Sequence, residues 1–230
     1  MWPPSVARLK DDRNDMDLFI SKLFVPEERF FYFAWVLIVM ISIVLHELGH
    51  GWMAIRCGDD TPLRLKRMTG NPLVHMGPVS LFFLFVIGIT WGMMPVDPTR
   101  FRGKYAEAKV AAAGPAVNVA LMVVSVIVLV VLVRLELMPG DEEMAGRLFT
   151  FLYLAALTNG LLLVLNLMPV PPLDGSRILA NFHRGYRDLL HRQDLQGMWL
   201  LGMLFAFGVM WQLMPRIAGG LGQVIDYMIG

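Results

Sequence analysis

The chain has 230 residues, 56% of them apolar and 17% charged, with a mean hydropathy of +0.57 and a formal net charge of +1. That composition excludes an ordinary soluble domain and places the chain among membrane proteins. The near-neutral balance gives no support for nucleic-acid binding, which needs a basic stripe, and the single cysteine, Cys57, excludes an internal disulfide.

Residues 1–29 form a polar arm in which acids slightly outnumber bases, with no short apolar stretch followed by a small-residue cleavage site, so no cleavable signal peptide is expected. Phe30 to Ile55 is the first long apolar run; as a helix it measures roughly 39 Å against a hydrocarbon core of about 30 Å. Val79 to Met94 is shorter, about 24 Å as a helix, and is bounded by Gly77-Pro78 and Pro95. Internal Gly88 and Gly92 suit a bent or extended re-entrant element there, shielded from lipid by neighbouring protein. Val110 to Val133 and Leu148 to Met168 both meet the length of a crossing helix. Leu195 to Met214 is a fourth candidate, interrupted by Gln196 and Gln212 and expected to close at Pro215. No repeat divides the chain. The expectation is one all-α bundle of about four transmembrane helices plus the 79–94 segment, with an arm over 1–29, a core over 30–179, and a loop, last helix and short tail over 180–230.

At the end of the first span stands His46-Glu47-Leu48-Gly49-His50. Histidines four residues apart on a helix share one face, neutral imidazole is a good zinc ligand, and the intervening glutamate can act as general base without ligating. Chance would give this pattern in roughly three of a thousand chains of this composition. A charged side chain within a bilayer is costly unless it meets a partner, and a bound cation answers that cost better than bare burial. A catalytic zinc takes three protein ligands and leaves a position open. Candidates for the third are His75, His183, His191 and the acids near membrane level. Asp174 is chosen among them because it closes Asn166-Leu-Met-Pro-Val-Pro-Pro-Leu-Asp174-Gly175 directly after a span. Pro169, Pro171 and Pro172 forbid a regular helix there, so the backbone must open into a protein-lined or wet cavity.

A parity condition follows. The histidines and Asp174 each lie at the C-terminal end of a span, so they meet only if those two spans run parallel, which requires that 79–94 does not cross. With that topology the ligand side holds Arg56, Arg64, Lys66, Arg67, Arg100, Arg102, Lys104, Lys109, Arg177, Arg184, Arg187 and Arg192. The other side is poorer in bases. The positive-inside rule then puts the site toward the cytoplasm and the N-terminus outside.

Three separated motifs, His46 to His50, Gly114-Pro115 with Asn118, and Asn166 to Gly175, resemble the site-2 protease family of intramembrane zinc metalloproteases. They cover about Phe30 to Leu179. With Asn71-Pro72-Leu73, His75 and Pro78 also present and no PDZ or CBS module, the resemblance is to the minimal prokaryotic branch. It implies one zinc per chain on His46, His50 and Asp174, Glu47 as catalytic base, a prokaryotic plasma-membrane location, and cleavage of transmembrane protein substrates near the cytoplasmic face. Asn118 and Asn166, polar groups at membrane depth, are read either as hydrogen-bonding an extended substrate or each other, or as packing contacts between helices. His75 is read as an oxyanion donor or as a loop cap. The rival reading is a catalytically silent membrane binding protein stabilised by the same zinc, and a metal permease is a weaker third.

Overall fold

The computed structural model describes residues 18–190, 192 and 196–230. Most of the polar arm, His191 and Leu195 at the expected start of the last span lie outside the described residues. Within them there is no β-strand, and the helices are α1 (Arg29–Arg56), α2 (Thr61–Arg64), α3 (Pro72–Ile87), α4 (Ala106–Arg134), α5 (Glu142–Asn166), α6 (Asp174–Phe182), α7 (Arg184–Leu190) and α8 (Gln196–Ile229). Four of them, α1, α4, α5 and α8, are long and apolar enough to cross a membrane, which is the expected all-α architecture.

α1 is the central helix. One face packs Tyr32, Val36, Val39 and Ile43 against Met76 and Leu84 of α3. Another packs Ala34 and Ile38 against Leu154 of α5. Its C-terminal turn packs Ala54 against Ala106 and Val110 of α4. Over half of its apolar window is buried, 56%, against 6% for α8, so α8 is the peripheral span. Gly49 lets α4 come close, since a Cβ there would fall 2.9 Å from the carbonyl oxygen of Ala113.

α1 and α5 run parallel. The Arg147 guanidinium lies 5.7 Å from the Phe30 ring, and Asn159 reaches the Ser42 hydroxyl, so the two contacts keep one register along both helices. That direction follows from how α3 behaves. Asn71 caps it, its side chain accepting from the Leu73 amide, and Gly77 breaks it with φ 71° and ψ 169°, a conformation open essentially to glycine. Pro78 then starts the second helical run, where its missing N–H costs nothing. The run ends at Gly88, in the left-handed region with φ 76°. From there the chain returns extended beside its own helix: the Trp91 amide donates to the Ser80 hydroxyl (2.9 Å), that hydroxyl donates to the Trp91 carbonyl (2.6 Å), and the Met93 amide donates to the His75 carbonyl (3.0 Å). The turn is anchored near the start of α1, where Tyr32 Oη donates to the Phe85 carbonyl and Trp35 Nε1 to that of Gly88. The segment therefore dips to the level of Tyr32 and comes back to the level it left. It does not cross.

One boundary departs from expectation. α8 does not close at Pro215 but continues to Ile229. Proline removes one amide donor, which costs a single hydrogen bond in an apolar helix where no water competes for the remaining ones. The continuation is held by Tyr153 Oη donating to the Ala218 carbonyl and Arg134 Nε donating to that of Met228.

Candidate metal centre

Four elements converge two turns before the end of α1. His46 and His50 project from one face of that helix, both buried. Their Nε2 atoms are 3.0 Å apart. Asp174, the first residue of α6, completes a triangle: its Oδ2 lies 3.2 Å from His46 Nε2 and 3.3 Å from His50 Nε2. Asp174 gets there because the prolines end α5 at Asn166 and Gly175 lets α6 start hard against that end. A Cβ on Gly175 would collide with the carbonyl oxygens of Leu167 and Met168. The Ser176 hydroxyl donates to the Leu173 carbonyl and ties the first turn of α6 down.

Whether these residues suit a cation is decided by their outer atoms. His50 Nδ1 lies 2.7 Å from the carbonyl oxygen of Val110, which can only accept, so Nδ1 carries the proton. His46 Nδ1 lies 2.7 Å from Asn118 Oδ1, with the same consequence. Both Nε2 atoms then point lone pairs at each other and at a carboxylate oxygen that is buried and without a donor. Three acceptors at this spacing repel unless a cation lies among them. Ligand atoms about 2.0 to 2.2 Å from a tetrahedral zinc would be spaced by roughly 3.3 to 3.6 Å, close to the triangle observed. His46, His50 and Asp174 fit a metal ion, and they form a group able to hold one among the described residues. Gly114 of α4 supplies the floor: a Cβ there would overlap both Nε2 atoms.

Glu47 is also buried, but one residue round the helix it faces the return leg. A Cβ on Gly92 would fall 2.7 Å from Glu47 Oε1 and from Ile43 Cγ2. Only a glycine lets the extended backbone pass this close.

The other expected site residues divide. His75 is buried on α3, and its Nε2 donates to the Thr69 carbonyl at 2.6 Å, leaving Nδ1 buried with no partner. His183 is exposed and its Nδ1 accepts from the Tyr186 amide, away from the triangle. Asn118 is fully buried, but its amide donates to Asn159 Oδ1 at 2.9 Å rather than to Asn166. Asn166 is half-buried at the end of α5 and bonds none of the three triangle residues. Asn159 and Ser42 escaped the sequence reading. The signal was an amide in the middle of the apolar run Leu148 to Met168, at a depth where a polar side chain needs a partner.

The sequence profile of peptidase family M50 matches residues 135–209, a stretch that contains Asp174. Over that stretch the chain is similar to peptidase family M50. Over 197 residues it is 29% identical to "Putative zinc metalloprotease YwhC" of Bacillus subtilis, covering 83% of this chain and 88% of that one. Over 145 residues it is 36% identical to "Putative zinc metalloprotease Rip2" of Mycobacterium tuberculosis, covering 59% of this chain and 52% of the relative, so it spans about half of that protein. No solved structure matches. The similarity to M50 agrees with a metal-fitting triangle lying among helices long enough to cross a membrane.

Proposed function

We propose that the chain is an intramembrane zinc metalloprotease that hydrolyses peptide bonds of transmembrane substrates near the cytoplasmic face of a prokaryotic plasma membrane. The observation that carries this is the convergence of His46, His50 and Asp174 on one point, with Glu47 on the adjacent helix face. Zinc bound there would acidify a water and polarise the scissile carbonyl. Glu47 is placed to take the proton of that water as its oxygen bonds the carbonyl carbon, and to deliver it to the nitrogen as the C–N bond breaks. Gly114 keeps the ligand nitrogens clear, and Gly92 leaves room for the Glu47 carboxylate.

A helical substrate hides its carbonyls in its own hydrogen bonds, so it must be held extended. The return leg supports such a role. Trp91 spends both its backbone groups on α3 and Met93 its N–H, and in an extended chain the groups of the residue between them point the opposite way. The N–H and C=O of Gly92 thus form an open edge beside Glu47, where a substrate strand can pair. His75, having given its Nε2 proton to Thr69, presents a lone pair at Nδ1 and would serve an oxyanion only in its doubly protonated form. The tautomer favours acceptance of a substrate amide. Asn118 is spent on His46 and Asn159, which leaves Asn166 as the side chain assigned to the substrate. The excess of Arg and Lys on the ligand side supports a cytoplasmic site.

The test is zinc analysis together with cleavage of a transmembrane substrate in liposomes, on wild type, Glu47→Gln and Asp174→Ala. Glu47→Gln is expected to keep zinc and lose at least about 1,000-fold in cleavage, and Asp174→Ala to lose zinc. A fully active Glu47→Gln ends this mechanism, and a zinc-loaded wild type that cleaves nothing would establish the silent binding protein instead.

A further inference from the structure

His46 can offer Nε2 to a metal only if its proton sits on Nδ1, and buried groups on three helices decide where that proton is. Asn159 Nδ2 lies 2.9 Å from the Ala155 carbonyl oxygen and 3.0 Å from the Ser42 hydroxyl. A carbonyl only accepts, so this end of the Asn159 side chain is its amide nitrogen, and Oδ1 faces α4. Oδ1 accepts from Asn118 Nδ2 at 2.9 Å, and a reversed Asn118 would set two oxygens against each other. Asn118 Oδ1 is therefore the atom 2.7 Å from His46 Nδ1, and it needs a proton from the ring.

Water cannot stand in for any link. Ser42, His46, Asn118 and Asn159 are 2%, 5%, 0% and 2% exposed. His50 reaches the same state in one step through the Val110 carbonyl, which has no second orientation. The partner of His46 is an amide that could face either way, and the Asn159 side chain removes that freedom.

We propose that Asn159, whose hydrogen bonds go to Asn118, Ser42 and Ala155 and not to the triangle residues, is a positioning residue: acting through Asn118, it fixes the proton of His46 on Nδ1 and so sets the affinity of the centre for zinc. The affinity part rests on the zinc reading above, whereas the position of the proton can be measured without metal.

The experiment uses the full chain in nanodiscs with zinc alone as ligand, by competition against a chelator. Asn159→Leu, close in volume and unable to orient Asn118, is expected to weaken zinc binding by about 10- to 100-fold, the range for partners of metal-ligating histidines. Asn118→Asp presents an acceptor in either orientation, so in that background the same Asn159→Leu change is expected to cost less than about threefold, a non-additivity that a packing defect would not produce. Equal losses in both backgrounds, or no loss in Asn159→Leu alone, overturn the proposal. Nitrogen NMR of the 15N-histidine-labelled, metal-free wild type needs no variant: His46 is expected to carry a proton on Nδ1, and a bare Nδ1 overturns the proposal even if Asn159→Leu fails to fold. A chain that binds no zinc but keeps that proton would sink the zinc reading and leave the relay standing.

Discussion

Gly92 of the return leg lies so close over Glu47 that a single added methyl would sit 2.7 Å from Oε1. The backbone that would receive substrate and the side chain that would move the proton are therefore fixed relative to each other by the absence of a Cβ, and the nearest atoms to that position belong to Glu47 and Ile43 rather than to the three ligands.

Gly92→Ala separates the two parts of the site. The alanine forces apart Glu47, Ile43 and the return leg by a fraction of an ångström to an ångström, enough to cost about 100-fold in turnover when a reacting group is displaced. Zinc content is expected to stay at the wild-type level, because the atoms nearest the added methyl belong to Glu47 and Ile43 and not to His46, His50 or Asp174. Parallel metal analysis and cleavage rates check it; a variant with normal turnover would show that the leg can yield without consequence.

Ser80 holds that leg in place. Its hydroxyl serves both the N–H and the C=O of Trp91 and meets Thr90 Oγ1 at 2.6 Å. Ser80→Ala leaves the part-buried N–H and C=O of Trp91 without these partners, a cost of about 1–3 kcal/mol. The expected result is a lower unfolding temperature and a raised KM for an extended substrate, with zinc binding unchanged. An unaltered KM would detach the return leg from substrate binding.

The parts of this architecture that sequence shows are those carried by local pattern. Four spans follow from the length of apolar runs, and the pair His46 and His50 from a four-residue spacing that a helix turns into one face. Asp174 needed a longer argument: it closes the Pro-rich segment directly after a span, and it can meet the histidines only if the 79–94 run fails to cross, a condition that agrees with the short length of that run. What stayed hidden depends on contacts between distant residues. Asn159 reaches partners 41 and 117 positions away, and no period in the sequence marks them. Gly92 reads locally as a bend in a re-entrant element and Gly114 as half of a Gly-Pro motif, and only the assembled bundle shows that a Cβ at either would strike the site. Pro215 misled for the opposite reason: its local signal is a stop, overridden in a long apolar helix that loses one hydrogen bond and keeps the rest.

Asp59, outside the spanning helices, gives the fold a dependence on acid. It is fully buried, with Oδ1 accepting from the Thr61 amide at 2.9 Å and Oδ2 from the Asp97 amide at 2.7 Å, so it joins the end of α1 to the loop that follows the return leg. Burial pushes its carboxyl up, but the hydrogen bonds from Thr61 and Asp97, with Arg100 nearby, bring it below the ordinary aspartate range. A folded value below the unfolded one means that the carboxylate contributes its stability in full above about pH 4 and loses it as pH falls through the folded value. Asp59→Asn is expected to cost about 1–3 kcal/mol at neutral pH, since one amide must then face an NH2 group. The gap in unfolding temperature between the two proteins should narrow on acidification. A gap that stays constant down to pH 2 would remove Asp59 from the acid response.

Gly114→Ala tests the metal centre from its floor. The helix α4 passes beneath the imidazoles, and a Cβ at this position would lie 2.5 Å from His46 Nε2 and closer still to His50 Nε2. Neither ring can retreat without breaking its Nδ1 bond to Asn118 or to the Val110 carbonyl, so the methyl takes the space where the lone pairs converge. Because alanine is a better helix former than glycine by about 1 kcal/mol, α4 itself gains rather than loses. The helix gain offsets part of the cost of displacing a ring, so the variant is expected to fold with an unfolding temperature at or below that of the metal-free wild type, while binding zinc at least about 100-fold more weakly, as expected when the orientation of ligating histidines is lost. Zinc competition and thermal unfolding with and without chelator measure both quantities. Wild-type zinc affinity in this variant would mean that the metal does not sit between these nitrogens, and the proposed centre would have to be sought elsewhere in the bundle.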